Sequence, residues 1–206
     1  MDKKNQSTLT KNEGNQWFST WFNTYFYHLL YHKRNHKEAD SFISNLIGYL
    51  KPPTDSLVLD LACGTGRHAK TLNKCGLNVV GTDLSVNSIR EAKKHENESL
   101  HFEVQDMRDV LRPLYFDYIF NLFTSFGYFD TLDDDEKVLK ACYQQLKPGG
   151  ILILDYFNIE KILPELPYKG IEIRKDIDFH IEKTYRDKRI MKTIELHLFT
   201  IKNEEQ

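Results

Sequence analysis

Residues 57–66, Leu-Val-Leu-Asp-Leu-Ala-Cys-Gly-Thr-Gly, constrain this chain more than any other stretch. A short apolar run closes on an acid and then breaks into a turn that carries two glycines. Such a run, bounded by turn residues, fits a buried strand of a parallel sheet. Gly64 and Gly66 let the backbone turn sharply and admit a ligand to the main chain where a Cβ would stand in the way. Residues 67–75 then read as a helix opening directly from the turn. Strand, glycine turn and helix in this order make the nucleotide site of doubly wound α/β domains. The question is which nucleotide.

A regular alternation surrounds that unit. Strand Asn78–Thr82 leads to a helix from Val86 to about His95, with Ser85 placed as its N-cap. Strand Leu100–Gln105 precedes an irregular link; strand Phe116–Leu122 precedes a loop and a helix over 132–147. The first turn of that helix holds Asp133, Asp134, Asp135 and Glu136, acids that suit the helix dipole without any functional role. Pro148-Gly149-Gly150 stops it ahead of strand Ile151–Tyr156. Strands alternating with helices imply a parallel sheet with right-handed crossovers.

The flanks differ in character. Residues 1–14, rich in Lys, Asn and Thr, are expected to be a disordered tail. Over residues 16–32, Trp17, Trp21 and Tyr25, like Phe18, Phe22 and Phe26, recur every four residues and predict one helix with a wide apolar face. A second helix is expected from about 37 to 50, ended by Pro52 and Pro53. Near the other end, Ile177, Phe179 and Ile181, then Ile194, Leu196 and Leu198, alternate with polar residues. That is the pattern of antiparallel, half-exposed strands, with Asp187-Lys188 in the turn between two of them. The expected fold is thus a Rossmann-like, doubly wound, mostly parallel α/β sheet with an N-terminal helical lid and a C-terminal antiparallel β appendage. Residues 15–206 are expected to form a single domain, with the lid over 15–50, the core over 55–160 and the antiparallel strands over 170–202.

Charge and thiols narrow the function. With a formal net charge of -2 over 206 residues, there is no electrostatic case for a nucleic-acid partner. Cys63, Cys75 and Cys142 lack metal-like spacing and read as reduced thiols. Neither the apolar core of a signal peptide nor a run of membrane-spanning length is found. A cytoplasmic protein with a small-molecule substrate, no nucleic acid and no membrane is the expectation.

Gly64-Thr65-Gly66-Arg67-His68-Ala69 fits the loose dinucleotide fingerprint, and Asp83 ends the second strand where an acid would grip ribose. An NAD-dependent dehydrogenase is therefore permitted. Three features point elsewhere. Asp60, just ahead of the turn, opposes a pyrophosphate at the helix N-terminus but suits a ligand with ammonium and sulfonium charges. Asp106, ending the third strand beside Met107, is placed to accept from an adenine amino group. Pro148-Gly149-Gly150 precedes a strongly apolar fifth strand.

Together, five ordered pieces resemble the class I S-adenosylmethionine-dependent methyltransferases: residues 58–66, 81–85, 105–107, 116–117 and 146–150. The resemblance spans about residues 20–160. It implies S-adenosylmethionine as cofactor and S-adenosylhomocysteine as product, with transfer to N, O or C of a small molecule. It also implies roles. The backbone at Ala62, Cys63, Gly64 and Gly66 would pass under the cofactor, although Ala62 stands where relatives carry glycine and needs an ordinary φ to be tolerated. Asp83 would accept from both ribose hydroxyls, Asp106 from the adenine amino group, with Leu84 and Met107 beside the ring. Asp60 would hold the cofactor's ammonium through water or simply fix the turn.

At the fourth strand's tip, the Asn121 carbonyl would meet the methionine end, and Phe126 and Tyr128 would line the acceptor pocket. Asn121 lacks the two following prolines of enzymes that methylate exocyclic amines of bases or glutamine side chains, which argues against those substrates. From the lid, Tyr27 and Tyr31 would face the ligand and Arg34 would pair with its carboxylate. His28, Tyr128 and Tyr156 all remain open as a base, and no catalytic residue is assigned. A catalytically idle cofactor-binding module is the third alternative. The family's usual last helix and two strands are not evident, so an open sheet edge, shielded by self-association as a homodimer, is expected.

Overall fold

Two compact units divide the chain in the computed structural model, which describes residues 6–8, 20–31, 36–186 and 189–198. The larger unit takes residues 18–24 and 33–156; the smaller takes residues 1–17, 25–32 and 157–206. Strands are numbered in chain order as β1 (Gln6–Thr8), β2 (Leu57–Leu61), β3 (Asn78–Asp83), β4 (Leu100–Val104) and β5 (Phe116–Asn121). They continue as β6 (Leu146–Leu154), β7 (Tyr168–Arg174), β8 (Ile177–Arg186) and β9 (Arg189–Leu198).

The larger unit is a five-stranded sheet in the order β4-β3-β2-β5-β6, with every pairing parallel. Val58, Leu59, Leu61, Val79, Ile119 and Phe120 of its central strands are buried, as a sheet covered on both faces requires. Helices His36–Leu50, Arg67–Lys74, Val86–Ala92 and Leu132–Gln145 accompany it. Ile43, Ala69, Leu72, Ile89, Ala92 and Phe102 join the strands in one core. The expected order of strands and helices holds. Strand β6 begins earlier than expected, at Leu146, because Pro148-Gly149-Gly150 is taken into it with Gly149 at φ +82°.

Parallel strands place all their C-terminal tips at one end of the sheet, and their starts at the other. At the starting end, Asp117 accepts from the Leu57 N–H at 2.8 Å and from Lys147 Nζ at 2.8 Å, tying β5 to the openings of β2 and β6. Two of the five sequence pieces, at 116–117 and 146–150, therefore hold the fold together at its base.

The smaller unit is a separate antiparallel sheet, β1-β9-β8-β7, as expected for the strands after 170. Ile177, Phe179, Ile181 and Leu196 form its buried face, and helix Tyr25–Leu30 packs on β7. Strand β7 escaped the sequence reading. So did β1: Gln6–Thr8 pairs with His197–Glu195, so at those three residues the expected disordered tail is instead a strand.

The expected continuous helix over 16–32 is also corrected. It stops at Trp21, turns through 22–24 and restarts at Tyr25. The Thr24 hydroxyl donates to the Trp21 carbonyl at 2.8 Å, the local bond by which Thr competes with the helix ladder. Asp187-Lys188, expected in the β8–β9 turn, lies outside the described residues. Among the described residues no helix is long and apolar enough to cross a membrane.

Candidate functional site

Parallel pairing brings the tips of β2, β3, β4, β5 and β6 to the end of the sheet that carries the turn 62–66. Two bonds tie the turn to β3, and Gly66 N–H closes it by donating to the Cys63 carbonyl at 3.0 Å. Cys63 N–H donates to the Thr82 carbonyl at 2.8 Å, and Gly64 N–H donates to Asp83 Oδ2 at 2.8 Å. Gly64 lies at φ +56°, and a Cβ built there would meet nothing within 4 Å. Its backbone therefore faces open space, the room a ligand against the main chain requires. Gly66 has a different reason to be glycine: a Cβ there would lie 2.6 Å from the Phe102 ring. It serves packing, not the ligand directly.

Ala62 lies at φ +62°, in the left-handed region. The expectation that alanine is tolerated there only at an ordinary φ is thus corrected. The turn forces the left-handed conformation, and the methyl group is carried at a cost.

Two carboxylates stand at the tips of the central strands, Asp60 buried and Asp83 half-buried. Burial pushes the Asp60 carboxyl up to about 7, against the pull of the Ala69 N–H and Arg67, with Asp83 adding to the rise. The Ala69 N–H belongs to the first turn of helix Arg67–Lys74, so Asp60 already occupies an amide that a pyrophosphate would need. This weakens the dinucleotide reading on structural grounds. Asp83 is raised mainly by burial, opposed by hydrogen bonds from Ser85 N–H at 2.8 Å and Gly64 N–H. One bond on each oxygen fixes the carboxylate and leaves a lone pair on each for a pair of hydroxyls.

Three side-chain atoms buried at the tips of the central strands have no partner: Asp60 Oδ2, Thr82 Oγ1 and Asn121 Oδ1. Buried polar atoms are ordinarily satisfied; Thr82 and Asn121 stand level with Leu61 on one face of the sheet, and Asp60 points to the other. Asn121 differs from its expected role in detail. Its carbonyl accepts from Asp155 N–H at 2.9 Å and its amide donates to the Leu61 carbonyl at 3.1 Å, so the unmet acceptor is its side chain.

Asp106 sits in the turn after β4. Burial favours its neutral form, but hydrogen bonds and charge from Arg108 prevail and hold it below its usual range. Leu84 and Met107 are half-buried beside these acids. The Cys63 thiol is buried and pushed well up, which makes it inert.

Beyond β5, aromatic side chains form the wall. Phe126 stands edge-on to Tyr156 with centroids 6.4 Å apart, and Tyr128 edge-on to Phe22 at 5.4 Å. Phe123 and Thr124 both take positive φ, +63° and +60°, a conformation such residues adopt only under constraint. Asp155 supplies it, accepting from Phe123 N–H at 2.9 Å, while the Arg67 guanidinium lies 4.4 Å from the Phe123 ring centre. His68 packs between Phe42 and Phe123, and burial drives its pKa down to about 4, so it stays neutral.

The segment 20–24 reaches this site. Asn23 accepts from Ser85 Oγ at 2.6 Å, next to Asp83, and Phe22 contacts Tyr128. Sequence reasoning missed Asn23, Asp155 and Arg108, since nothing local distinguishes them. Of the residues expected from the lid, Tyr27 and Tyr31 belong to the smaller unit, rings 5.0 Å apart, with the Tyr31 hydroxyl against Lys192. Arg34 lies outside the described residues, as does the side chain of His28.

Comparison with known proteins matches residues 58–150 to the family described as a methyltransferase domain. The chain is 31% identical over 116 residues to the dTDP-3-amino-3,4,6-trideoxy-alpha-D-glucopyranose N,N-dimethyltransferase of Streptomyces venezuelae, covering 56% of this chain and 48% of that protein. It is 36% identical over 113 residues to the glycine/sarcosine N-methyltransferase of Aphanothece halophytica, covering 52% and 43%. The chain thus spans about half the length of the curated relatives it matches.

Among solved structures, SAM-bound CalS10, an amino pentose methyltransferase from Micromonospora echinaspora, superposes with a TM-score of 0.62 at 22% identity, covering 86% of this chain and 84% of that one. An S-adenosylmethionine-dependent methyltransferase from Clostridium acetobutylicum gives 0.63 at 23% identity, covering 85% and 80%. At these identities the likeness is one of fold. The matched segment, residues 58–150, is thus similar to a methyltransferase domain, and the fold is that of S-adenosylmethionine-dependent methyltransferases.

Proposed function

We propose that this chain transfers the methyl group of S-adenosylmethionine to a small molecule at N, O or C, releasing S-adenosylhomocysteine. The observation that carries the reading is the open Gly64 backbone with Asp83 oriented by two amides, one lone pair left free on each of its oxygens. Bound there, the cofactor supplies an activated methyl group on sulfonium, which needs little chemical help to leave.

The protein's task is to bind, orient and exclude water. Asp83 accepts from the ribose hydroxyls, charge-assisted bonds of about 1.5–3 kcal/mol each. Asp106 accepts from the adenine amino group between Leu84 and Met107, and the backbone of Ala62, Cys63 and Gly64 provides the floor, with Gly66 keeping the turn packed on Phe102. Asp60 and Asn121 are assigned to the methionine end, and Arg34 to its carboxylate. Phe126 and Tyr128 hold the acceptor in line, and orientation of this kind contributes roughly 7–11 kcal/mol. An ammonium acceptor must lose a proton before it attacks; Tyr128 and Tyr156 stand on the acceptor wall. Both relatives named above methylate amines by their names, so amines come first in a substrate panel.

We also assign the chain to the cytoplasm, consistent with free thiols at Cys63, Cys75 and Cys142. Self-association to a homodimer across the outer edge of β6 completes the reading.

The test is thermal unfolding with and without S-adenosylhomocysteine. At a hundredfold excess over Kd the ligand stabilises by about 2.7 kcal/mol, which for a chain of this size raises Tm by roughly 5–10 °C. Asp83→Ala removes the shift. No shift of the unaltered protein at millimolar ligand overturns the assignment.

A further inference from the structure

Arg108 makes more contacts across the site than any local role in its turn requires. Its Nε and NH2 groups form a fork on Asp106, at 3.0 Å to Oδ1 and 2.6 Å to Oδ2, and its own N–H donates to Oδ1 at 2.9 Å. Its third nitrogen reaches Asp134 Oδ1 at 3.3 Å, in the first turn of helix Leu132–Gln145. Its guanidinium carbon lies 4.5 Å from the ring centre of Phe129, a buried residue closing the loop after β5. One planar cation thus bridges two segments that share no backbone pairing: the turn after β4 and the acceptor-side loop after β5. Arginine suits this task because the fork is rigid and the flat face stacks on an aromatic ring.

We propose that Arg108 is a positioning residue that couples the adenine end of the site to the acceptor wall. The inference rests on the cofactor reading above. The fork leaves the Asp106 carboxylate in one orientation, so an adenine amino group meets an acceptor already aimed. A ligand that holds Asp106 holds Arg108 with it, and through Arg108 the ring of Phe129 and the start of the helix at Asp134. Binding of the adenosyl group therefore orders residues 126–134, and the wall carrying Phe126 and Tyr128 is set before the acceptor arrives. A two-site coupling of this sort requires a shared element whose state both sites bias, and the guanidinium is that element.

The test uses calorimetric titration of S-adenosylhomocysteine into the unaltered chain, Arg108→Met, Arg108→Lys, Asp106→Asn and the double variant Asp106→Asn/Arg108→Met. It is paired with amide hydrogen exchange at saturating ligand. Arg108→Met is expected to bind about tenfold more weakly, and the double variant no more weakly than the worse of the two single ones. In the pH dependence, affinity of Arg108→Met is lost at a higher pH on acidification than that of the unaltered chain, because Asp106 has lost the charge that keeps it ionised.

Hydrogen exchange separates coupling from mere support. In the unaltered chain the ligand slows exchange over 126–134; in Arg108→Met at saturation that slowing is lost while slowing around Gly64 and Asp83 remains. Arg108→Lys keeps the charge without the fork, gives an intermediate affinity and keeps the test open if the methionine variant fails to fold. Additive losses in the double variant, or ligand-induced slowing over 126–134 that survives in both Arg108 variants, overturn the inference. If the unaltered chain binds no S-adenosylhomocysteine, the cofactor assignment itself fails and takes the inference with it, an outcome distinct from a defect confined to the variants.

Discussion

Ala62 carries the left-handed conformation of the first turn on a residue with a side chain. An L-residue there costs about 1–2 kcal/mol, and glycine gives back about 0.5–1 kcal/mol of this in lost chain freedom. Ala62→Gly is therefore expected to stabilise the protein by about 0.5–1 kcal/mol in denaturant unfolding; a loss of stability would show that the methyl group packs usefully. Asp60 makes a second prediction. Its carboxyl is raised from 3.8 to about 7, so the folded state favours the protonated acid. The advantage is complete below about pH 4 and is lost as pH rises towards 7, a drift of at most about 4 kcal/mol by linkage. Asp60→Asn, which cannot ionise, should gain on the unaltered protein over that interval and track it above pH 7. Parallel stability curves from pH 4 to 8 would refute the shift. The sequence placed both residues at the site. It could not disclose either property, because a φ value and a burial are set by residues far away in the chain.

Element by element, the sequence was informative wherever periodicity and length agreed. Strands β2 to β5 and their helices stand within a few residues of expectation, since an apolar run or a helical stripe encodes its own geometry. It misled where a local signal had a distant use. Pro148-Gly149-Gly150 reads as a helix stop, yet it is absorbed into β6 because Lys147 is held by Asp117. The aromatic run 16–32 reads as one helix, yet turns at 22–24, where Phe22 and Asn23 find Tyr128 and Ser85. Asp117 supplies the prediction at this scale. Asp117→Ala leaves the Leu57 N–H and Lys147 without their acceptor and should cost about 1–2 kcal/mol of stability. Cofactor affinity should stay within twofold, because the residue lies at the opposite end of the sheet. A selective loss of affinity would mean that the base of the sheet is read by the site.

For the whole molecule, the sheet order leaves β6 at one margin, with Ile151 and Leu154 exposed along it. Among the described residues no strand pairs its outer edge, and proteins cover or pair such edges. Light scattering should report a dimer, converted towards monomer by Ile151→Lys; a monomer at all accessible concentrations removes the self-association proposal. What the sequence determined by itself is the parallel core and the end of it where the strand tips gather. Periodicity fixes strands and helices, and chain polarity places every strand tip at one end of the sheet, so Asp60, Asp83 and Asp106 all stand at that end. Only the tertiary structure decided what surrounds them: the fork of Arg108, the clasp of Asn23 on Ser85, the Asp155 hold on Phe123 and the unmet oxygens of Thr82 and Asn121. Those depend on contacts between residues tens of positions apart, whose partners are chosen by packing in three dimensions and leave no local pattern along the chain.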